Sequence, residues 1–337
     1  MRMKILRLIT SLFLLSASAV AQDAHADLAK AFLSSLSSEQ RAKAYYEFDS
    51  GERYTWNFVP KQDRKGLWLK DMTDKQKDLG FALLKYWVSK QGYQKIEDIM
   101  GLEAVLKEIE KRDSDWPRSA GNYVFIFFGE PSAEKPWGWR FEGHHVSYNF
   151  SSYRNRIQSG MPSFLGTNPG KFEKGGKSIE VLKDESDFGF KLLASLNEEQ
   201  LRKTVFLDTA YSHIAIRNSR KALDDEPQGI FYKELDSKQQ KIMIELVNVY
   251  LGNYPAEYAK DIMKEIENAG IGELRFAWAG YTKPTPGGLY YYRIKGPTIV
   301  IELENVQNNA NHVHSMMRDL LHDFGGDELM EHWKKAH

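Results

Sequence analysis

Apolar residues recur with helical spacing in two separated stretches of the chain. Leu79, Ala82, Leu83, Tyr86 and Trp87 stand at i, i+3, i+4, i+7 and i+8, the pattern of an amphipathic helix that buries one stripe. Ile242, Leu246, Val249 and Tyr250 make a similar stripe. Thr73 with Gln76, and Ser237 with Gln240, have the spacing of a capping box, in which each side chain satisfies a backbone N–H at the helix start. Further helices are predicted over 96–110 and 256–268. Residues 123–128 and 274–279 are rich in β-branched or aromatic residues and bounded by Gly, which predicts strands. A Pro/Gly-rich turn follows each, at 130–138 and 281–288, and then a second strand over 139–150 and 290–304.

The same order of elements in both stretches has a counterpart in identity. Residues 35–43 match 195–203 at five of nine positions. From Gly66 to Met100 the chain aligns with Gly229 to Met263 at a constant offset of 163, without a gap. Gly121, Phe125 and Gly129 then face Gly272, Phe276 and Gly280. Three ordered blocks favour an internal duplication over chance likeness of amphipathic helices, and the period is far too long for a solenoid. The expected fold is α+β: two pseudo-symmetric halves, residues 22–177 and 178–337, whose hairpins join one antiparallel sheet with helices on one face. The Gly/Pro/Lys-rich stretch 160–177 reads as the loop between them.

The first 21 residues read differently. Arg2, Lys4 and Arg7 precede a mostly apolar run, 8–20, and Ala19-Val20-Ala21 is a small-x-small cleavage site: the layout of a secretory signal peptide. Cleavage after Ala21 would leave 316 residues with a net charge of −3, since the segment holds three basic residues and no acidic one. No later stretch is long and apolar enough to span a bilayer, so a secreted or periplasmic protein is expected. The balance of 46 basic and 46 acidic residues argues against a nucleic-acid partner. The absence of Cys excludes disulfides, thiolate metal sites and a Cys nucleophile.

Candidate chemistry lies where the halves diverge. Period-two alternation places His145, Ser147 and Asn149 on one face of the 139–150 strand and His144, Val146, Tyr148 and Phe150 on the other. In the second half Ile299, Ile301 and Leu303 form the apolar side, and Glu302 and Glu304 the polar side. That strand leads into an Asn-rich segment and then His312-Val313-His314. In extended chain His-x-His presents both imidazoles on the same side, a metal-chelating geometry, and the Asn-rich approach disfavours helix. His145, His312 and His314 are therefore the candidate ligands of a divalent metal (Zn²⁺ foremost, with Mn²⁺, Fe²⁺ or Cu²⁺ as alternatives), and Glu302 or His144 a substitute. Asp319 or Glu142 would act as general base, and Arg318 would hold an anionic group. Trp139, Arg140, His144 and Asn149 would contact substrate; for the close pair Trp137 and Trp139 core packing is the commoner role, a ligand wall the other.

No Gly-x-Ser-x-Gly elbow, Walker loop, His-Glu-x-x-His or dinucleotide fingerprint is present. Two segments do resemble a known family: Gly129-Glu130-Pro131-Ser132 with Pro136-Trp137-Gly138-Trp139-Arg140-Phe141-Glu142-Gly143-His144-His145, and Asn308-Asn309-Ala310-Asn311-His312-Val313-His314-Ser315-Met316-Met317-Arg318-Asp319 with Asp323-Phe324-Gly325. They are similar to motifs of the exported family catalogued as domain of unknown function 3500. Members often read His-Ile-His and Val-Trp-Arg-Asp in the second motif, where this chain has His-Val-His and Met-Met-Arg-Asp. The resemblance implies export, one family-wide fold and importance of both motifs; it implies no reaction. Three readings stand: an exported metal-dependent hydrolase acting on a small-molecule substrate, a non-catalytic binding protein for a small polar or anionic ligand, and a structural envelope protein whose His residues satisfy buried polar groups. A metal-free polar active site is the variant of the first.

Overall fold

The computed structural model describes residues 24–111, 117–222 and 228–336; the signal-peptide site at Ala21 lies outside them. The first half runs α1 (Ala24–Ser34), α2 (Ser38–Ala44), β1 (Tyr45–Tyr46), β2 (Leu67–Trp68), α3 (Asp74–Trp87), α4 (Lys90–Glu110), β3 (Val124–Phe128), β4 (Trp137–Gly143), β5 (Val146–Tyr153), β6 (Arg156–Ser159) and β7 (Ser163–Thr167). A small hairpin, β8 (Phe172–Lys174) with β9 (Lys177–Ile179), leads on. The second half runs α5 (Lys183–Ser195), α6 (Glu198–Thr204), β10 (Val205–Leu207), β11 (Ile230–Phe231), α7 (Ser237–Leu251), α8 (Ala256–Asn268), β12 (Arg275–Gly280), β13 (Tyr290–Lys295), β14 (Ile299–Glu304), β15 (Val313–Asp319) and α9 (Gly326–Ala336).

The protein is thus α+β, with one large sheet ordered β1-β3-β4-β5-β7-β15-β14-β13-β12-β10. All its pairings are antiparallel except β1 with β3 and β10 with β12, at the two ends. One face carries Phe125, Trp139, Tyr148, Leu165, Met317, Ile301, Tyr292 and Trp278 into a continuous core with helical side chains such as Phe32, Leu83, Trp87, Leu192 and Leu246. On the other face Phe164, Val300 and Met316 pack against Trp56, Ile214, Ile216 and Phe324, which come from long connections and the approach to α9.

Matching positions of the two halves make matching bonds. Gln40 Nε2 donates to Gln76 Oε1 at 3.1 Å and to Asp71 O at 2.8 Å, and Gln76 Nε2 donates to Ser35 O at 2.8 Å. Gln200 Nε2 donates to Gln239 Oε1 at 2.9 Å and to Glu234 O at 3.2 Å, and Gln239 Nε2 donates to Ser195 O at 2.8 Å. Where the halves meet, Ser89 touches its counterpart at the 163 offset, donating through Oγ to Gly252 O. Beside it, a Cβ on Gly92 would lie 2.2 Å from Asn253 O, so only Gly permits this approach.

Several expectations shift in register. Thr73 and Gln76 do form a capping box. In α7, however, the cap is Asp236 with Gln239, one residue ahead of Ser237 and Gln240. The buried stripe of α3 is Gly80, Leu83, Leu84 and Trp87, which leaves Leu79 and Ala82 half-buried and Tyr86 exposed. That rotation brings Gly80 against the rings of Phe125 and Phe32, where a Cβ would stand 2.9–3.2 Å away. In α7 Leu246 and Tyr250 are buried as expected, but Met243 and Val247 take the places of Ile242 and Val249. The strands expected over 139–150 and 290–304 are each a hairpin, broken at His144-His145 and at 296–298. The stretch expected as a loop, 160–177, contains β7, a fully buried strand at the centre of the sheet. A five-residue strand with two small residues at its ends, Ser163 and Thr167, and Gly166 within carries little periodic signal.

The corrected cap is testable by chemical denaturation. Asp236→Ala is expected to cost about 1 kcal/mol by removing the acceptor for the Lys238 and Gln239 N–H groups. Ser237→Ala is expected to cost less than about 0.5 kcal/mol. The reverse order would restore the later box.

Candidate metal centre

His144 and His145 form the two-residue turn between β4 and β5, where Gly143 pairs with Val146. His145 has a φ of 65°, a left-handed conformation that a non-Gly residue adopts at a cost of about 1 kcal/mol. Two backbone bonds hold it there: its N–H donates to Phe58 O and its carbonyl accepts from Gly166 N, both at 2.8 Å. His312 directly precedes β15 and His314 lies within it, so the His-x-His segment is extended as expected. β7 separates the β5 and β15 backbones, and Gly166 on β7 leaves the space above it to imidazole. A Cβ there would lie 2.9 Å from His145 and 3.0 Å from His314.

The three imidazoles converge. His145 Nε2 is 2.8 Å from His312 Nε2 and 3.3 Å from His314 Nε2. One ligand atom from each ring lies within 4.8 Å of the others. Three nitrogens about 2.1 Å from one ion would stand roughly 3.4 Å apart, so small adjustments suffice to close a metal site. Glu304 Oε1 lies 2.5 Å from His314 Nδ1 and its other oxygen accepts Val306 N–H. A proton on Nδ1, held by that carboxylate, leaves the Nε2 lone pair aimed at the other two rings. Buried His312 Nδ1 has no hydrogen-bond partner among the described residues.

Burial pushes the pKa of His145 well down, reinforced by His144, His314 and His312 around it. Burial likewise lowers His312, to about 3, with His314 and His144 adding to the shift. Neutral imidazole is the metal-ligating form, so the pocket enforces the state a ligand needs. A second pair backs the triad. The His144 ring stacks on His145 at 3.8 Å, and its Nδ1 is 2.5 Å from Glu103 Oε1 and 3.2 Å from an Arg118 nitrogen. Burial lowers the His144 pKa as well, against the opposing pull of Glu103.

The other candidate residues go elsewhere. Glu302 accepts Ile216 N–H at 2.9 Å and bonds Tyr291 OH. Glu142 is locked in a buried ion pair with Arg64 at 2.6 Å, lies 3.0 Å from Arg140 Nε and accepts Asn57 N–H. It thereby fixes the segment whose Phe58 carbonyl holds His145. Arg140 is spent on Glu52 and Glu142. Trp139 packs on the helical face against Phe150, away from the His residues. Asn149 donates to Pro162 O. Arg318 bonds Asp323 and Arg220 O, four residues along β15 from His314, or about 13 Å. Asp319 is farther still. The residues that sequence reasoning passed over are Glu103, Arg118 and Gly166. Glu103 lies inside an ordinary helix, and no local pattern connects it to His144.

A model of the family described as "Protein of unknown function (DUF3500)" matches residues 18–326. The chain belongs to this family. Neither curated proteins nor solved structures returned a match. No described helix is long and apolar enough to cross a membrane.

The depressed His pKa values have a measurable consequence. An unfolded His binds its proton near 6.5, whereas folded His312 does so only near 3. The stability these neutral rings contribute is therefore complete above pH 6.5 and is lost as pH falls toward the folded values. The loss is about 1.4 kcal/mol per pH unit for each such His. Metal-free protein followed by urea titration between pH 4 and 7 is expected to lose stability in acid. His312→Gln is expected to lower that slope by about one proton, and an unchanged slope would place a charged His312 in the fold.

Proposed function

We propose that this is an exported metalloprotein whose His145, His312 and His314 hold one divalent cation, Zn²⁺ foremost, and that hydrolysis is the reaction it carries out. The convergence of the His145 ring, from the β4–β5 turn, with the His312 and His314 rings, from the start of β15, carries the reading. His145 Nε2 stands within 3.3 Å of two other imidazole nitrogens, and a cation shared among the three would satisfy their lone pairs. Three protein ligands with an open fourth position is the pattern of catalytic zinc sites, whereas structural sites close with four. A zinc ion bound there would supply a water of lowered pKa. His144, hydrogen-bonded to Glu103 and stacked on His145, is a group beside the triad able to accept a proton. Asp319, Glu142 and Arg318 take no part in this reading. The charge balance favours a small polar or anionic substrate over nucleic acid.

The parallel element order, the twin Gln networks and the Ser89–Gly252 contact support descent of residues 22–177 and 178–337 from one duplicated unit. The basic-then-apolar N-terminus supports export, with the mature chain beginning at Gln22; mass spectrometry of exported protein is expected to find that start.

The metal content of protein purified without chelator tests the centre. Near one equivalent of zinc is expected in the wild type and none in His312→Ala, which keeps its fold. Glu304→Gln is expected to weaken binding 10- to 100-fold by loosening His314. Gly166→Ala should weaken it by at least tenfold, because its Cβ displaces two rings. Turnover of model esters or phosphodiesters that disappears on chelation and in His312→Ala supports the hydrolase. Zinc retained without turnover supports the ligand-binding reading. No zinc, and no thermal shift on adding it, would leave the triad a hydrogen-bonded element of the core.

A further inference from the structure

At the opposite end of β15 a second group of ligating side chains has gathered. Glu265 of α8, Asp319 at the end of the strand and His322 just beyond place one ligand atom each within 4.8 Å of the others. His322 Nδ1 is 3.5 Å from Glu265 Oε2 and 3.4 Å from Asp319 Oδ2. All three line a cleft of about 280 Å³ between α8 and β6.

The state of Asp319 is what distinguishes this group from a surface ion pair. The residue is 2% exposed. Its Oδ1 accepts the N–H groups of Leu321 at 2.9 Å and His322 at 2.8 Å, which fixes the carboxylate plane. Its Oδ2 is buried and faces His322 Nδ1 at 3.4 Å, and no other donor reaches it among the described residues. A buried carboxylate oxygen whose one donor is a partly exposed imidazole at 3.4 Å is weakly satisfied, and one held toward a second carboxylate and that imidazole is a preformed ligand. The cleft wall also carries the carboxylate of Asp261. Arg156 and Lys264 also line the cleft, but neither pairs with Asp319.

We infer that Glu265, Asp319 and His322 form a second divalent-cation site, of a harder class than the triad. Two carboxylates and one imidazole, with room in the cleft for water, suit Mn²⁺ better than an all-imidazole set does. The two sites are independent: Asp319 lies six residues along β15 from Val313, about 20 Å away. Asp319, expected from sequence to serve as the base beside the triad, would instead be a ligand of its own centre.

Mn²⁺ titration followed by the electron paramagnetic resonance of the free ion tests this in the His312→Ala chain, where the triad is disabled. One bound equivalent is expected. Adding His322→Ala or Glu265→Gln is expected to weaken it at least tenfold. Both residues are partly exposed, so these variants keep their fold, whereas Asp319→Asn risks losing the turn that its Oδ1 organises. Absence of Mn²⁺ binding in His312→Ala, or binding indifferent to both substitutions, would overturn the site and leave a plain ion-pair cluster. Either result leaves the zinc content of the wild type, and so the first centre, to be judged separately.

Discussion

The antiparallel pairing of β7 with β15 spans five residue pairs, from Thr167 opposite Val313 to Ser163 opposite Met317. It joins β3-β4-β5 to β14-β13-β12 as one sheet, and it gives each half a central strand with no free edge. The candidate metal centre is a consequence of this seam. β15 delivers His312 and His314 on one side, β5 begins at His145 on the other, and the narrow strand between them carries Gly166 at the crossing point. Any side chain at 166 would separate the rings.

The face of the sheet away from the helices is built on a different principle. Its residues include Arg140, Glu142, Arg318, Glu302 and Glu304, all nearly inaccessible to solvent. Burial of so many charges is tolerable only with every partner in place. Arg64, Glu52, Asp323 and Tyr291 are those partners. They come mainly from the long connections that cover this face. The connections are held by ion pairs and hydrogen bonds as well as by Trp56 and Ile216, and in return they position the backbone at His145. Charged motifs that look catalytic in the sequence are thus largely the means by which irregular chain is fastened to a sheet.

The same residue type is set to opposite ends of its range within one strand's length. His145 and His312, surrounded by apolar groups and other imidazoles, are held neutral. His322, between Asp319 and Glu265, is pushed up to about 10 by hydrogen bonds to those carboxylates. The first arrangement offers lone pairs directly. The second offers carboxylate oxygen, and its imidazole joins only when a cation displaces the proton.

Much was legible in the chain itself. Alternation of apolar and polar residues within Val146–Tyr153 and Ile299–Glu304 separated the two faces of the sheet, because side chains on a strand must alternate. The near-repeat at an offset of 163 foretold the order of helices and strands, and His-x-His in an Asn-rich stretch foretold an extended segment. What the chain could not disclose was whatever depends on distant partners. Neither turn residue, His144 or His145, is a Gly or Asn that would announce a left-handed conformation; it is imposed by Phe58 and Gly166. The central strand 163–167 is short and interrupted by Gly, so its identity comes from its neighbours. Glu302 and Glu304 are equivalent in local pattern. Only the register opposite β15 sets Glu304 beside His314 and leaves Glu302 to Tyr291 and Ile216. Local sequence determines periodicity and therefore which face a side chain takes; its partner across that face is set by register and packing, which are properties of the folded whole.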